Sequence, residues 1–200
     1  MKKFSIYLMY TLLAGAVLLN TGCQKDEDDA PPAENEEEII TDVLLTFTPE
    51  GGGTAITATA KDPDGEGVQD LEVTKDIVLA PNTTYTLSLT LENTIEMEDI
   101  TEEVETEGDE HMFFFAFTDG AFGNPAGDGN VDNRADAINY GDTDKNSLPI
   151  GLTTTWTTGD AMSDADFQVI LKHQPDVKTA SSGSTDGSTD LDLTWKLTVQ

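Results

Sequence analysis

The chain has 200 residues, 39 of them acidic and 10 basic, for a formal net charge of −29 at neutral pH. A surface this negative repels nucleic acid and anionic lipid headgroups and draws in cations, which excludes polyanionic partners. Cys23 is the single cysteine, so no disulfide can form within the chain. The length suits one domain plus a tether, and that domain must rest on its apolar core.

The first 23 residues read as a secretory signal. Lys2 and Lys3 are followed by an uncharged run from Phe4 to Leu19, then by the small residues Thr21 and Gly22, then by Cys23. The run is shorter than the roughly 20 apolar residues that span a bilayer, and it lacks a basic flank. The pattern resembles the signal peptide of bacterial lipoproteins. That resemblance implies removal of residues 1–22 and lipidation of Cys23 as the new N-terminus. Asn20 stands where the lipoprotein motif carries Leu, and Leu19 lies one position earlier.

Residues 23–38 then form the lipidated cysteine and an acidic tether. Gln24 to Glu38 holds eight acids in fifteen residues, with Pro31 and Pro32 and no large apolar side chain. Like charges extend such a segment, and it cannot bury a core. Lys25, Asp26, Glu27, Asp28 and Asp29 resemble the acidic export signal that follows the lipid cysteine in Bacteroidota surface lipoproteins. The resemblance implies an outer-membrane protein, lipid-anchored and facing the cell exterior. A plain solvated spacer is the other reading.

From Ile39 onward apolar residues recur with period two, the mark of strands. Val43, Leu45 and Phe47 alternate with polar residues. A turn over Pro49 to Gly53 follows, then Ile56, Ala58 and Ala60, which together predict a hairpin. Leu71 to Leu79 predicts a weaker strand, and Tyr85, Leu87, Leu89 and Leu91 predict a strong one. Asp99 to Gly108 predicts a short helix. Asp99 and Glu102 are spaced as a capping box, Ile100 and Val104 face the sheet with Met97 below them, and Gly108 closes the helix. Met112 to Phe117 predicts a central strand, with Phe113, Phe115 and Phe117 inward and Phe114 covered on the other face, by the helix. Residues 118–149 show no periodicity, and so long a loop in a compact domain signals function or disorder. Strands around Leu152 to Trp156, Phe167 to Leu171 and Leu191 to Val199 complete an all-β fold. The expectation for residues 39–200 is an antiparallel β-sandwich of about eight strands with one short helix.

Five segments, EEEIITDVLLTFTPEGGG, EDITEEVE, HMFFF, LPIGLTTTWTTG and LKHQPD, resemble a family of small Bacteroidota (flavobacterial-type) surface lipoproteins. The segments carry no known chemistry. Enzyme-like names such as GTP cyclohydrolase attach to some relatives, but the residues here do not support them. Cyclohydrolases hold zinc with cysteine and histidine, and Cys23 is not a free thiol once lipidated.

Two constellations could carry chemistry. Asp142, Asp144 and Asn146 match the first, third and fifth ligand positions of an EF-hand loop, but Ser147 replaces its glycine and Thr153 its bidentate glutamate. Asp128, Asn130 and Asp132 repeat the spacing. These six residues are the candidate Ca²⁺ ligands, although Asx-rich loops are also ordinary turns. His111 and His173, each with an acid nearby (Glu110 and Asp176), could share a metal only if their strands are neighbours. Trp156 and Trp195 lie on apolar faces and read as core, not as carbohydrate platforms. No catalytic residue stands out. The sequence therefore favours a non-catalytic binding, accessory or structural module on the cell surface, with the membrane as its anchor and a protein or small molecule as its partner. The alternative is a hydrolase acting on glycans or peptides through carboxylates of the 118–149 loop.

Overall fold

Alternation of Val43, Leu45 and Phe47 with polar residues makes β1 (Asp42–Pro49), a strand whose every second side chain is buried. A turn at the glycines brings back β2 (Ile56–Lys61), paired antiparallel with Phe47 opposite Ile56. The computed structural model describes residues 38–65 and 67–200. The expected signal peptide, Cys23 and the expected export signal at Lys25, Asp26, Glu27, Asp28 and Asp29 lie outside these.

The remaining elements in chain order are β3 (Glu72–Lys75), β4 (Ile77–Leu79), β5 (Thr84–Glu92), α1 (Ile100–Thr106), β6 (His111–Phe117), β7 (Phe122–Asn124), β8 (Thr153–Thr158), β9 (Met162–His173) and β10 (Ser188–Val199). They form a six-stranded sheet, β3-β2-β1-β5-β8-β7, and a four-stranded sheet, β4-β10-β9-β6. The fold is an all-β sandwich. All strand pairs are antiparallel except β10 with β4, which is parallel.

Among the described residues there are ten strands, against the expected eight or so. The predicted strand from Leu71 to Leu79 is two strands. β3 ends one edge of the larger sheet, and after Asp76 the chain crosses to β4 on the edge of the other. Short edge strands of this kind limit exposed ladder groups. β7 lies inside the predicted long loop and has too few residues to show a period.

The core fills the space between the sheets. Phe47, Phe115, Phe117, Phe122, Trp156 and Phe167 make a network of mostly edge-to-face ring contacts, with centroids from 4.8 to 6.1 Å. Trp156 and Trp195 are fully buried, as their apolar strand faces require.

The helix begins as expected, with the Asp99 side chain accepting a hydrogen bond from the Glu102 N–H at 3.1 Å. Its end differs: Glu107 caps it, and Gly108 packs against Ile150, where a Cβ would come within 2.5 Å of a methyl carbon. Ile100 and Val104 are buried as predicted, but Met97 is 90% exposed. Its φ is +65°, in the left-handed region.

The 118–149 segment packs on β6 and covers its free edge. The outward backbone groups of β6 from Phe113 to the Phe117 N–H are engaged. Phe113 N–H donates to the Ile150 carbonyl (2.7 Å), Phe117 N–H to the Asp128 carbonyl (2.9 Å), and Asn130 N–H to the Phe115 carbonyl (2.8 Å). Phe115 N–H donates to Asn130 Oδ1 at 3.0 Å, and Tyr140 Oη donates to the Phe113 carbonyl at 2.7 Å. Gly129 allows this approach. It has a φ of +103°, and a Cβ there would lie 2.0 Å from the Phe115 carbonyl oxygen. Met112, Phe114 and Ile170 form a second small cluster beneath Val131 and Tyr140. The cover over Phe114 is therefore the long loop, not the helix.

Candidate functional site

On β6 the inward positions are Phe113, Phe115 and Phe117, and on β9 they are Phe167, Val169 and Leu171. Counting by two along each strand reaches His111 and His173. These two are directly opposed across the β6–β9 pair. Directly opposed residues on one sheet face bring their side chains together. The imidazole rings stack with centroids 4.5 Å apart and an interplanar angle of 13°. Both residues are buried, at 0% and 3% exposure, where the alternation calls for apolar side chains. The condition set by the sequence for a shared histidine site, neighbouring strands, is met.

Acids surround the pair. Glu38 Oε1 lies 2.8 Å from His111 Nε2, and the Glu38 side chain is 5% exposed. Acidity alone assigns Glu38 to the tether, yet its carboxylate belongs to the domain. Asp190 Oδ2 lies 3.9 Å from the same nitrogen, with its side chain fully buried. Asp190 is the extra residue at a register shift between β10 and β9. Such bulges re-aim side chains beside functional sites. Glu110 Oε2 is 3.5 Å from His173 Nε2. Glu107, the helix cap, contributes its backbone carbonyl, 3.3 Å from His111 Nδ1.

Burial by itself pushes the His111 imidazole down. The Glu38 carboxylate against the ring, with the charge of Asp190 behind it, outweighs burial and moves it above its ordinary value. Burial pushes Glu38 up, but the contact with His111 brings it below the usual carboxylate range. The cluster thus calls for positive charge at its centre. One donor atom each from Glu38, Glu107, His111 and His173 lies within 4.8 Å of all the others, so these four residues could hold a metal ion.

The calcium residues chosen from spacing are arranged differently. Asp142 accepts hydrogen bonds from Gly151 N–H (2.8 Å) and Thr153 N–H (3.1 Å). Asp144 Oδ1 accepts from Asn146 N–H (2.8 Å) and Leu148 N–H (2.9 Å), and its Oδ2 lies 3.0 Å from Lys178 Nζ. An ammonium group therefore sits where a calcium ion would have to compete. Asn130 is fully buried, bonded to β6 and to Tyr140. It is apart from Asp128 and Asp132, which group instead with Asp136 on the exposed surface. Asp142, Asp144 and Asn130 thus bond to loop and edge backbone groups here, while Asp128 and Asp132 remain exposed.

No family model, curated protein or solved structure matches this chain. No helix among the described residues is long and apolar enough to cross a membrane.

Glu38, Glu107 and Asp190 are the members of the cluster that sequence spacing misses. Glu107 and Asp190 lie far from each other and from Glu38 in the chain and carry no motif. The findable signal was parity: a histidine at the inward position of two strands whose other inward residues are all apolar.

Proposed function

We propose that this chain is a lipid-anchored, non-catalytic binding module of the outer membrane, displayed toward the cell exterior on its acidic tether. The lipoprotein-like signal, Cys23 and Lys25 to Asp29 support the anchor and the display. The observation that carries the non-catalytic part is the state of Asp142 and Asp144. Both accept from backbone N–H groups and Asp144 also pairs with Lys178, so these two form no acid–base pair of the kind glycan hydrolysis uses. A cleft of about 440 Å³ lies beside them, with Leu89, Ile150 and Leu152 beneath and Thr101, Glu105 and Lys145 at its rim. It suits a polar small molecule or a partner's side chains better than a buried reaction centre.

The test is radiolabelled palmitate incorporation together with protease treatment of intact cells. The wild type should take up label and lose its domain to protease, and Cys23→Ala should take up none. Replacing Asp26, Glu27, Asp28 and Asp29 with Ala should protect the domain on intact cells. A wild-type chain that is unlabelled, or resists protease until cells are lysed, contradicts the reading.

A further inference from the structure

We propose that Glu38, His111, His173 and Glu107 bind one divalent first-row transition-metal ion, of which zinc is the natural probe, at the end of the sandwich where the described chain begins. This goes beyond the anchored-module reading and stands or falls separately from it.

The donor set fits such an ion. Two imidazoles with carboxylates suit zinc and its neighbours, whereas calcium and magnesium prefer all-oxygen shells. The His111 ring is held as a ligand ring is held. Its Nδ1 faces the Glu107 carbonyl at 3.3 Å, an acceptor for an Nδ1 proton, and its Nε2 faces Glu38 at 2.8 Å, so a metal ion at Nε2 would replace the proton shared with that carboxylate. Buried atoms there lack protein partners. Glu38 Oε2 and His173 Nε2 have no hydrogen-bond partner, in side chains that are 5% and 4% exposed, and His111 Nε2 meets only the Glu38 carboxylate at 2.8 Å. Leaving buried polar atoms unpaired is costly unless something else occupies their lone pairs.

Charge and spacing agree. With neutral imidazoles, the two carboxylate ligands, Glu38 and Glu107, carry the charge that one divalent cation cancels. Bonds of about 2.0–2.2 Å at tetrahedral angles place ligand atoms roughly 3.3–3.5 Å apart. The Glu38–His111 contact of 2.8 Å is a hydrogen-bond distance and would open slightly around an ion. The other donors, within 4.8 Å, would close by up to about 1.5 Å. Glu107 is exposed and gives the ion a route from solvent.

The ligands come from four places in the chain: the segment before β1, the end of α1, the start of β6 and the end of β9. A metal here would tie Glu38 and the end of α1 to two adjacent strands, β9 and β6, of the smaller sheet.

The experiment is calorimetric titration of zinc into the full chain, purified in detergent and stripped with chelator, with melting temperature read in parallel. One equivalent of zinc should bind saturably and raise the melting temperature. Magnesium and calcium at matched ionic strength should bind at least about a hundredfold more weakly. His173→Ala should weaken zinc binding by more than about the hundredfold that loss of an outer-shell partner costs. Glu38→Gln keeps the shape of its side chain and guards against a misfolded histidine variant, and it should lose at least about tenfold. Absence of a one-to-one zinc site, or zinc affinity unchanged in both variants, overturns the proposal. So does calcium binding as tight as zinc.

Discussion

Asn130 and Phe115 exchange two hydrogen bonds: Phe115 N–H donates to Asn130 Oδ1 at 3.0 Å, and Asn130 N–H donates to the Phe115 carbonyl at 2.8 Å. The side chain of one loop residue completes a ladder that a neighbouring strand would otherwise supply. The 118–149 segment thereby seals the edge of β6 with its own side chain and backbone, aided by Tyr140.

Asn130→Ala should leave the buried Phe115 N–H and the Tyr140 hydroxyl each short of a partner. An orphaned buried group costs about 1–3 kcal/mol, so a loss of that order or more is expected in urea unfolding. Amide exchange at Phe115 should accelerate along with it. Unchanged exchange at Phe115 would show that the loop does not guard this edge.

Phe115 lies at 0% exposure among Trp156, Phe167 and Tyr140. Phe115→Ala should cost about 3–5 kcal/mol, as buried phenylalanines do. Phe115→Asp adds an unpaired buried charge and should leave the domain unfolded at room temperature. Circular dichroism and a thermal melt decide it, and a cooperative melt at the wild-type temperature for Phe115→Asp would refute the placement.

Asp144 and Lys178 are both 1% exposed, and Lys178 Nζ also donates to the Gly108 and His111 carbonyls at 2.5 and 2.7 Å. Removing one partner of a buried pair typically costs about 3–5 kcal/mol. Asp144→Asn should cost near that, since the amide still accepts from the loop N–H groups. Burial pushes Asp144 up, but the Leu148 N–H, Lys178 and the Asn146 N–H pull it down further, to a net value below the ordinary carboxylate range. The stability it contributes is therefore complete above about pH 4 and lost as the pH falls through its folded value. Urea melts from neutral pH to about pH 2 should show that acid loss in the wild type and a shallower one in Asp144→Asn. Equal acid slopes in the two would remove Asp144 from the account of acid lability.

Calcium should stabilise the chain no more than magnesium at the same ionic strength, because Lys178 already neutralises Asp144. A calcium-specific rise in melting temperature, abolished by Asp142→Ala with Asp144→Ala, would restore the EF-hand-like site.

The sandwich was legible because period two is written directly in Val43–Phe47, Tyr85–Leu91 and Leu191–Val199. Burial of one sheet face demands it. The crossing at Asp76 was not legible, since Leu71 to Leu79 keeps its alternation while changing sheets. Residues 128–146 are ambiguous in sequence because Asx side chains satisfy turns and edges with the same oxygen atoms that bind calcium. Half of the candidate site could be read: His111 and His173 were visible beside their strand ends. Glu38, Asp190 and Glu107 joined them only through a segment entry, a bulge and a helix end, which are tertiary facts.

X-ray absorption at the zinc edge of the zinc-loaded full chain tests the central claim most directly. The expected first shell holds nitrogen and oxygen atoms only, at about 2.0–2.2 Å, with the multiple scattering of two imidazoles. A shell of oxygen atoms without imidazole scattering, or sulfur at about 2.3 Å, would contradict it.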